Sequence, residues 1–299
     1  MLVGDAVGVP YEFHEPSDLP PYSAIEMIPP AGFRRAHGSV PPGTWSDDGA
    51  QALTLLASLL ERDGLDLEDF GQRIVAWYTK GYMAVGQVVF DVGIQTSQAI
   101  RMLQTGKAAR SAGPSHEQAN GNGSLMRVLP LTLWHHGSDA DLVRDAHEQS
   151  LVTHGHLRSQ VCCALYCLWA RRTLQAVADP WGEAVATLRT IYGPATPAYA
   201  ELEAHIRPDD PPKGQGSGYV VDCLRSAQLA VAAGRYADVI KTAIALGHDT
   251  DTTACVAGGI AGLRDGVGAI PERWLGQLRG REIVAPLLQQ LEATYGAKP

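Results

Sequence analysis

The stretch Val85-Gly86-Gln87-Val88-Val89-Phe90-Asp91-Val92 decides the fold class, because it is where β-favouring residues gather. Branched and aromatic side chains suit a pleated, half-buried surface. The run is short, however, and no regular alternation of strand and turn follows it. On either side, apolar residues instead recur at i, i+3, i+4 spacing through 50–61, 67–79 and 92–103. The same period returns in 141–151, 158–178, 183–192, 220–233, 236–246, 252–263 and 283–294. That period belongs to amphipathic helices, so the sequence predicts an all-α protein, a compact orthogonal helical bundle. Turn formers concentrate in 15–30, 38–43, 111–123 and 207–218, but none of these linkers divides the chain, so one domain over 1–299 is expected. Loops of a dozen residues inside a bundle are unusual unless they line a site.

Composition narrows the function classes. The chain has 299 residues, 45% of them hydrophobic, enough for a sizeable core. No apolar run approaches the roughly 18 residues needed to cross a bilayer, and no secretory signal opens the chain, so a cytosolic protein without membrane association is expected. A net charge of −8 argues against broad contact with nucleic-acid phosphates, which depends on lysine and arginine. Cys162, Cys163, Cys167, Cys223 and Cys255 are odd in number and lack metal-ligand spacing, so they are expected to be reduced core thiols.

Two acidic clusters stand at helix starts. In Ser46-Asp47-Asp48-Gly49 the acids precede a helix expected from Gly49 or Ala50, where capping and the helix dipole alone could account for them. In Gly247-His248-Asp249-Thr250-Asp251-Thr252 one cap would suffice, so the second acid and the threonines exceed what helix stability needs. Side chains at i and i+2 of a helix diverge by roughly 200°, so Asp249 and Asp251 converge only if the turn is not yet helical. Gly247 makes such a turn feasible. Gathered in one cavity, Asp47, Asp48, Asp249 and Asp251 would repel unless two divalent cations balanced them. An all-oxygen set suits Mg²⁺ or Mn²⁺ better than Zn²⁺.

At this point the residues resemble a family. Gly4-Asp5-Ala6-x-Gly8 with Glu12, then Trp45-Ser46-Asp47-Asp48, Gly121-Asn122-Gly123-Ser124-Leu125-Met126-Arg127, Thr153-His154 and Asp249-Thr250-Asp251-Thr252 follow the order seen in ADP-ribosylglycohydrolases of the dinitrogenase-reductase-activating type. The resemblance spans nearly the whole chain. It implies a single-domain helical protein of that type, two Mg²⁺ or Mn²⁺ ions, and hydrolysis of the bond between ADP-ribose and a protein side chain, arginine favoured, or a small leaving group. Its partner would be an ADP-ribosylated protein or an ADP-ribose derivative, and a monomer is expected. By the same resemblance Ser46, Asp47 and Asp48 form the first metal group, and Asp249, Asp251 and Thr252 the second. Asp48 also counts among the catalytic residues with Glu12, the family's acidic residue near the metals, and Asp91, near the reacting ribose. Relatives usually carry a further helical turn before Gly-Asp-Ala, so a weakly anchored opening helix is expected here, with Glu12 depending on it.

The remaining candidates each keep an ordinary alternative. Asn122, Gly123, Ser124 and Met126 belong to a glycine-rich loop that could cradle the diphosphate and ribose with successive amides, or could be a plain turn. His154 could contact substrate or open a capped helix. Gly218 and Tyr219 match a segment bordering the ligand, with Tyr219 stacking on adenine, or else form a surface connection. Arg127 could meet an acidic group, a phosphate or an ion-pair partner. Two further functions stay open: a two-metal phosphohydrolase of the HD type, suggested by His248-Asp249, and a non-catalytic ADP-ribose binder.

Overall fold

The computed structural model describes residues 1–295; residues 296–299, the end of the expected domain, lie outside the described residues. Its helices are α1 (Leu2–Gly8), α2 (Asp47–Arg62), α3 (Leu67–Lys80), α4 (Ile94–Gln104), α5 (Leu129–Trp134), α6 (Asp139–Leu151) and α7 (Leu157–Leu174), followed by α8 (Pro180–Tyr192), α9 (Pro197–Glu201), α10 (Val220–Val231), α11 (Tyr236–Ala245), α12 (Thr250–Asp265), α13 (Glu272–Gln277) and α14 (Arg281–Tyr295). Every periodic segment of the sequence falls on one of them. Among the described residues there is no strand; the β-favouring stretch forms a short 3₁₀ turn at Val85–Gln87, and the one isolated bridge pairs Gly121 with Tyr219.

Boundaries moved where caps decide them. Helix α2 starts at Asp47, ahead of the expected Gly49 or Ala50, because Ser46 accepts the Asp48 N–H and acts as its cap. Helix α7 stops at Leu174, short of 178, where Ala176 turns left-handed at φ 53°. The helices that periodicity did not register, α1, α5, α9 and α13, have 7, 6, 5 and 6 residues, too few for a 3.6-residue period to repeat.

Two helices form the centre. Helix α7 is buried on nearly every side, packed by α5, α6, α8, α10 and α12, as its all-round apolar composition requires. Helix α12 is enclosed by α1, α2, α7, α10 and α11. All five cysteines are buried free thiols. Among the described residues no helix is long and apolar enough to cross a membrane.

The opening helix is not weakly anchored. Residues 3–8 are buried, and Gly4 and Gly8 face α12 so closely that a Cβ on Gly4 would stand 2.1 Å from the Ala254 carbonyl oxygen. One on Gly8 would stand 2.4 Å from Asp251 Cα. Absent side chains at i and i+4 let the two backbones touch.

Candidate active site

Helix α1 also holds α2. The Asp5 carboxylate accepts the N–H groups of Ser46 (2.9 and 3.2 Å to its two oxygens) and Gly49 (2.8 Å), filling the amide-rich start of α2. One short helix thus binds α12 through its glycines and α2 through its acid, bringing the two acidic clusters together. Thr252 Oγ1 donates to Asp48 Oδ2 at 3.2 Å, across 204 positions of sequence. Ser46 Oγ donates to the same oxygen at 3.1 Å while accepting the Asp48 N–H at 3.3 Å. Capping and site-building are therefore performed by the same serine.

The second cluster meets the geometric condition set by its spacing. Gly247 and His248 are left-handed (φ 74° and 59°), and Asp249 is non-helical (φ −97°, ψ 69°) just before α12. Oxygens of Asp249, Asp251 and Glu12 all lie within 4.8 Å of one another, close enough to share a cation. A second such group, Glu12, His37 and Asp91, shares Glu12 with the first.

Burial and mutual repulsion act on these acids together. Burial first, then neighbouring carboxylates, push Asp47, Asp48 and Asp251 well above the usual carboxylate range. Glu12 is raised to about 11 by burial and then by Asp91 and Asp249. Burial lifts Asp5 to about 7 and Asp91 to about 6. Asp48 Oδ1 and Asp251 Oδ2 are buried without any hydrogen-bond partner. Orphaned buried carboxylate oxygens are costly unless positive charge meets them. Together with the hydroxyls of Ser46 and Thr252, these acids form an all-oxygen donor set that fits hard divalent cations.

A cavity of about 760 Å³ opens above the acids. Glu12, Asp47, Asp91, Asp249 and Thr252 line its acidic end, whereas Ser46, Asp48 and Asp251 are buried and do not line it. Asn122, Gly123, Met126, His154, Gly218 and Tyr219 line the other walls. Ser124 does not line it: its hydroxyl accepts from Ser150 Oγ (2.8 Å) and Cys163 Sγ (3.4 Å) in the core. The glycine loop is also less open than a cradle of successive amides requires, since Gly121 N–H goes to Gln95 Oε1 (2.8 Å) and Asn122 N–H to the Gly218 carbonyl (3.1 Å). Asn122 Nδ2 in turn donates to Asp249 Oδ2 at 2.8 Å, holding that acid in place.

His154 does not cap a helix; it is buried in the loop before α7. Thr153 Oγ1 accepts from Arg127 Nη1 (2.6 Å) and lies 2.8 Å from His154 Nδ1, so the hydroxyl proton is best assigned to Nδ1 and the ring's own proton to Nε2, beside the glycine loop. Burial and then Arg127 lower its pKa to about 3, which keeps the ring neutral. Arg127 itself is a brace. Its guanidinium is fully buried, bonds to Gln149, Gln51 and Thr153, and lies 5.1 Å over the Phe70 ring. Gln51 then donates to Asp47 Oδ2 at 3.0 Å, so the positive charge reaches the site through one amide.

The 207–218 linker is ordered at its end: Asp222 accepts the N–H groups of Gln215 (3.0 Å) and Ser217 (2.7 Å), and Tyr219 OH lies 3.3 Å from Arg158 Nη1. Arg158, His37 and Gln95 carried no signal in the sequence, because their partners are distant or lie in irregular loops. His248 lies outside the cavity lining, 3.8 Å from Glu15, so the histidine-rich ligand set of an HD-type site does not assemble around it.

Known proteins resemble the chain over nearly its whole length. The ADP-ribosylglycohydrolase family profile matches residues 1–298. The chain is 28% identical to an ADP-ribosylarginine hydrolase Tri1 of Serratia proteamaculans, over 97% of this chain and 76% of that protein. It is 27% identical to the ADP-ribosyl-[dinitrogen reductase] glycohydrolase of Rhodospirillum rubrum, over 93% and 87% respectively. A solved structure described as an ADP-ribosylglycohydrolase-related protein complex superposes with a TM-score of 0.74 at 31% identity, covering 97% of this chain and 93% of the other. With sequence motifs, helical architecture and joined acidic clusters all in agreement, the chain belongs to the ADP-ribosylglycohydrolase family.

Proposed function

We propose that the protein is a metal-dependent ADP-ribosylhydrolase that releases ADP-ribose from modified arginine side chains. The observation that carries this is the Thr252–Asp48 contact, which joins two acidic clusters with one orphaned buried oxygen each, Asp48 Oδ1 and Asp251 Oδ2. Similarity to relatives named as ADP-ribosylarginine hydrolases supports the arginine linkage. Activity as one domain over 1–299, as a cytosolic monomer, belongs to the same proposal.

Two divalent cations, Mg²⁺ or Mn²⁺, held by Ser46, Asp47, Asp48, Asp249, Asp251 and Thr252, would supply Lewis acidity and an anchor for ribose hydroxyls. The chain's own groups do the rest. His37 Nε2 sits 2.6 Å from Glu12 Oε2, fixing that carboxyl at the cavity wall; the charge of the cations would offset the burial and the neighbouring acids that otherwise keep it protonated, leaving a carboxylate to serve as general base. Water oxygen adds to the anomeric carbon as the carbon–nitrogen bond breaks, and one water proton goes to Glu12. The bond's electron pair returns to the cationic guanidinium, which leaves as neutral guanidine, so no strong acid is required. Asp91 orients the ribose. Asn122 keeps Asp249 in register, and His154 Nε2–H, neutral and buried, offers a donor to the nucleotide.

A substrate panel tests this: ADP-ribose release from arginine-modified and serine-modified proteins with Mg²⁺ and with Mn²⁺. Release from arginine that disappears on metal stripping is expected. Calorimetric binding of ADP-ribose with no release from either protein would make the chain a binder, and phosphate release from nucleotides alone would restore the phosphohydrolase alternative.

A further inference from the structure

We infer that Phe13 and Ile94 form the leaving-group subsite, a hydrophobic collar at the acidic end of the cavity that takes the alkyl-guanidinium of a modified arginine. The inference rests on the arginine-directed function proposed above and names the residues that would select that linkage. Both side chains line the cavity, and they are 70% and 77% exposed. Phe13 follows Glu12 and tilts against His37, which bonds Glu12, so its ring stands beside the acids; Ile94 opens α4 three residues after Asp91, and the next residue, Gln95, bonds Gly121, so it lines the wall between the acids and the glycine loop. With the distal ribose over the acids, whatever leaves its anomeric carbon departs past this collar.

The backbone at Phe13 argues that the ring is there for a reason other than folding. Its φ is 63°, a left-handed conformation that a bulky residue rarely adopts. The strain is held by a reciprocal pair of bonds, Phe13 N–H to the His248 carbonyl (2.7 Å) and His248 N–H to the His14 carbonyl (2.8 Å). Glycine or asparagine would meet that conformation with less strain, and an exposed phenyl ring gains little from burial in return. The ring is also oriented: it tilts against His37 with centroids 5.5 Å apart, and His37 rests on Phe90 at 5.0 Å while bonding Glu12.

The chemistry matches one class of ligand. A guanidinium is planar, cationic and weakly hydrated, so it stacks on an aromatic face while its charge is drawn to nearby carboxylates, here Glu12 and Asp91. Its methylene stem would lie along Ile94. A serine linkage offers neither a planar cation nor a long stem.

The test compares wild type, Phe13→Asn and Ile94→Ser on ADP-ribosyl-arginine and ADP-ribosyl-serine peptides with Mn²⁺, alongside calorimetric binding of free ADP-ribose. Asparagine tolerates the left-handed backbone and Ile94 is exposed, so a fold is expected in both; should Phe13→Asn fail to fold, Ile94→Ser carries the test. The expected result for the arginine peptide is a KM raised about tenfold with kcat and ADP-ribose affinity changed by less than about twofold. An unchanged KM in both variants, with wild type active, overturns the collar and leaves the hydrolase standing. Equal losses on both linkages also overturn it, making the two residues a general wall of the cavity. Wild-type release from serine alone, or from neither linkage, removes the arginine-directed function and the collar with it.

Discussion

Replacing Gly8 by alanine tests the joint on which the site depends. The added methyl would stand 2.4 Å from Asp251 Cα, 2.6 Å from the Thr250 carbonyl oxygen and 2.7 Å from Asp251 N. Ordinary contact begins at 3.4 Å, so the methyl is about 1 Å too close, and all three atoms are backbone that no rotamer change can move. Helix α1 must back away from α12 or tilt. Overpacking of this kind costs about 1–3 kcal/mol, against which the better helix propensity of alanine returns at most about 1 kcal/mol. The net loss should appear in thermal unfolding as a melting temperature lower by a few degrees, roughly 2–4 °C per kcal/mol for a chain somewhat shorter than this one. The effect on activity should be larger than the effect on stability. Asp251 is the residue struck, and a displacement of about 1 Å at reacting groups can cost about a hundredfold in rate. Metal-dependent ADP-ribose release, measured beside circular-dichroism melting, separates the two effects. Gly268→Ala is the control, since its Cβ meets nothing within 4 Å, and a change within about 0.5 kcal/mol is expected. A Gly8→Ala protein with wild-type melting and wild-type turnover would refute the claim that α1 sets the spacing of the clusters.

Asp48→Asn and Asp251→Asn should each lower metal-dependent ADP-ribose release by about a hundredfold or more, because several kcal/mol of transition-state stabilisation are tied to the ions, while circular dichroism stays native. Full release from a rigorously metal-stripped Asp251→Asn protein would contradict the proposal. Glu12→Gln should keep ADP-ribose binding by calorimetry and reduce kcat by about a hundredfold or more, as expected for a lost general base, and an unchanged kcat removes Glu12 from proton transfer. The pH dependence of the metal-free protein is set by six raised acids, Glu12, Asp5, Asp91, Asp47, Asp48 and Asp251, which outweigh His37, His147 and His154, lowered by burial and opposing them only below about pH 6.5. Glu12, Asp5 and Asp91 are raised to about 11, 7 and 6, so above the ordinary carboxylate range the folded chain holds protons that the unfolded chain releases. Stability is therefore present at low pH and lost as pH rises through those values: in chelator the melting temperature should fall from pH 5 to pH 8, and added Mn²⁺ should raise it more at pH 8. An equal metal-induced shift at both pH values would speak against cations compensating these acids.

What could be read from the chain and what could not divide along a physical line. Helices of ten residues or more show a repeating apolar face, and all were legible; α1, with seven residues, shows no repeat, although its Gly4-x-x-x-Gly8 spacing hints at close packing. The acidic clusters were legible because each is contiguous. The function of Asp5 was not, since an acid inside a short helix announces nothing until the amides of Ser46 and Gly49 are seen to meet it. Nor was His37, which reaches Glu12 from an irregular loop, or the inward turn of Ser124 towards Ser150. Only tertiary contacts assign those side chains.

The charge argument gains from the same distinction. Setting four carboxylates against two divalent cations treats every acid alike, yet the structure gathers Asp5, Glu12 and Asp91 around the same centre as Asp47, Asp48, Asp249 and Asp251. They are not equivalent. Asp5 is met by backbone N–H groups, Glu12 by His37, Asp47 by Gln51 and Asp249 by Asn122. Among the described carboxylates, the two buried oxygens without a hydrogen-bond partner, Asp48 Oδ1 and Asp251 Oδ2, come one from each end of the polypeptide. Unmet carboxyl oxygens are therefore concentrated at the junction of α2 and α12, where Thr252 already touches Asp48. A cation bound anywhere else would leave that cost in place, so the joining of the helices and the binding of metal are expected to stabilise one another.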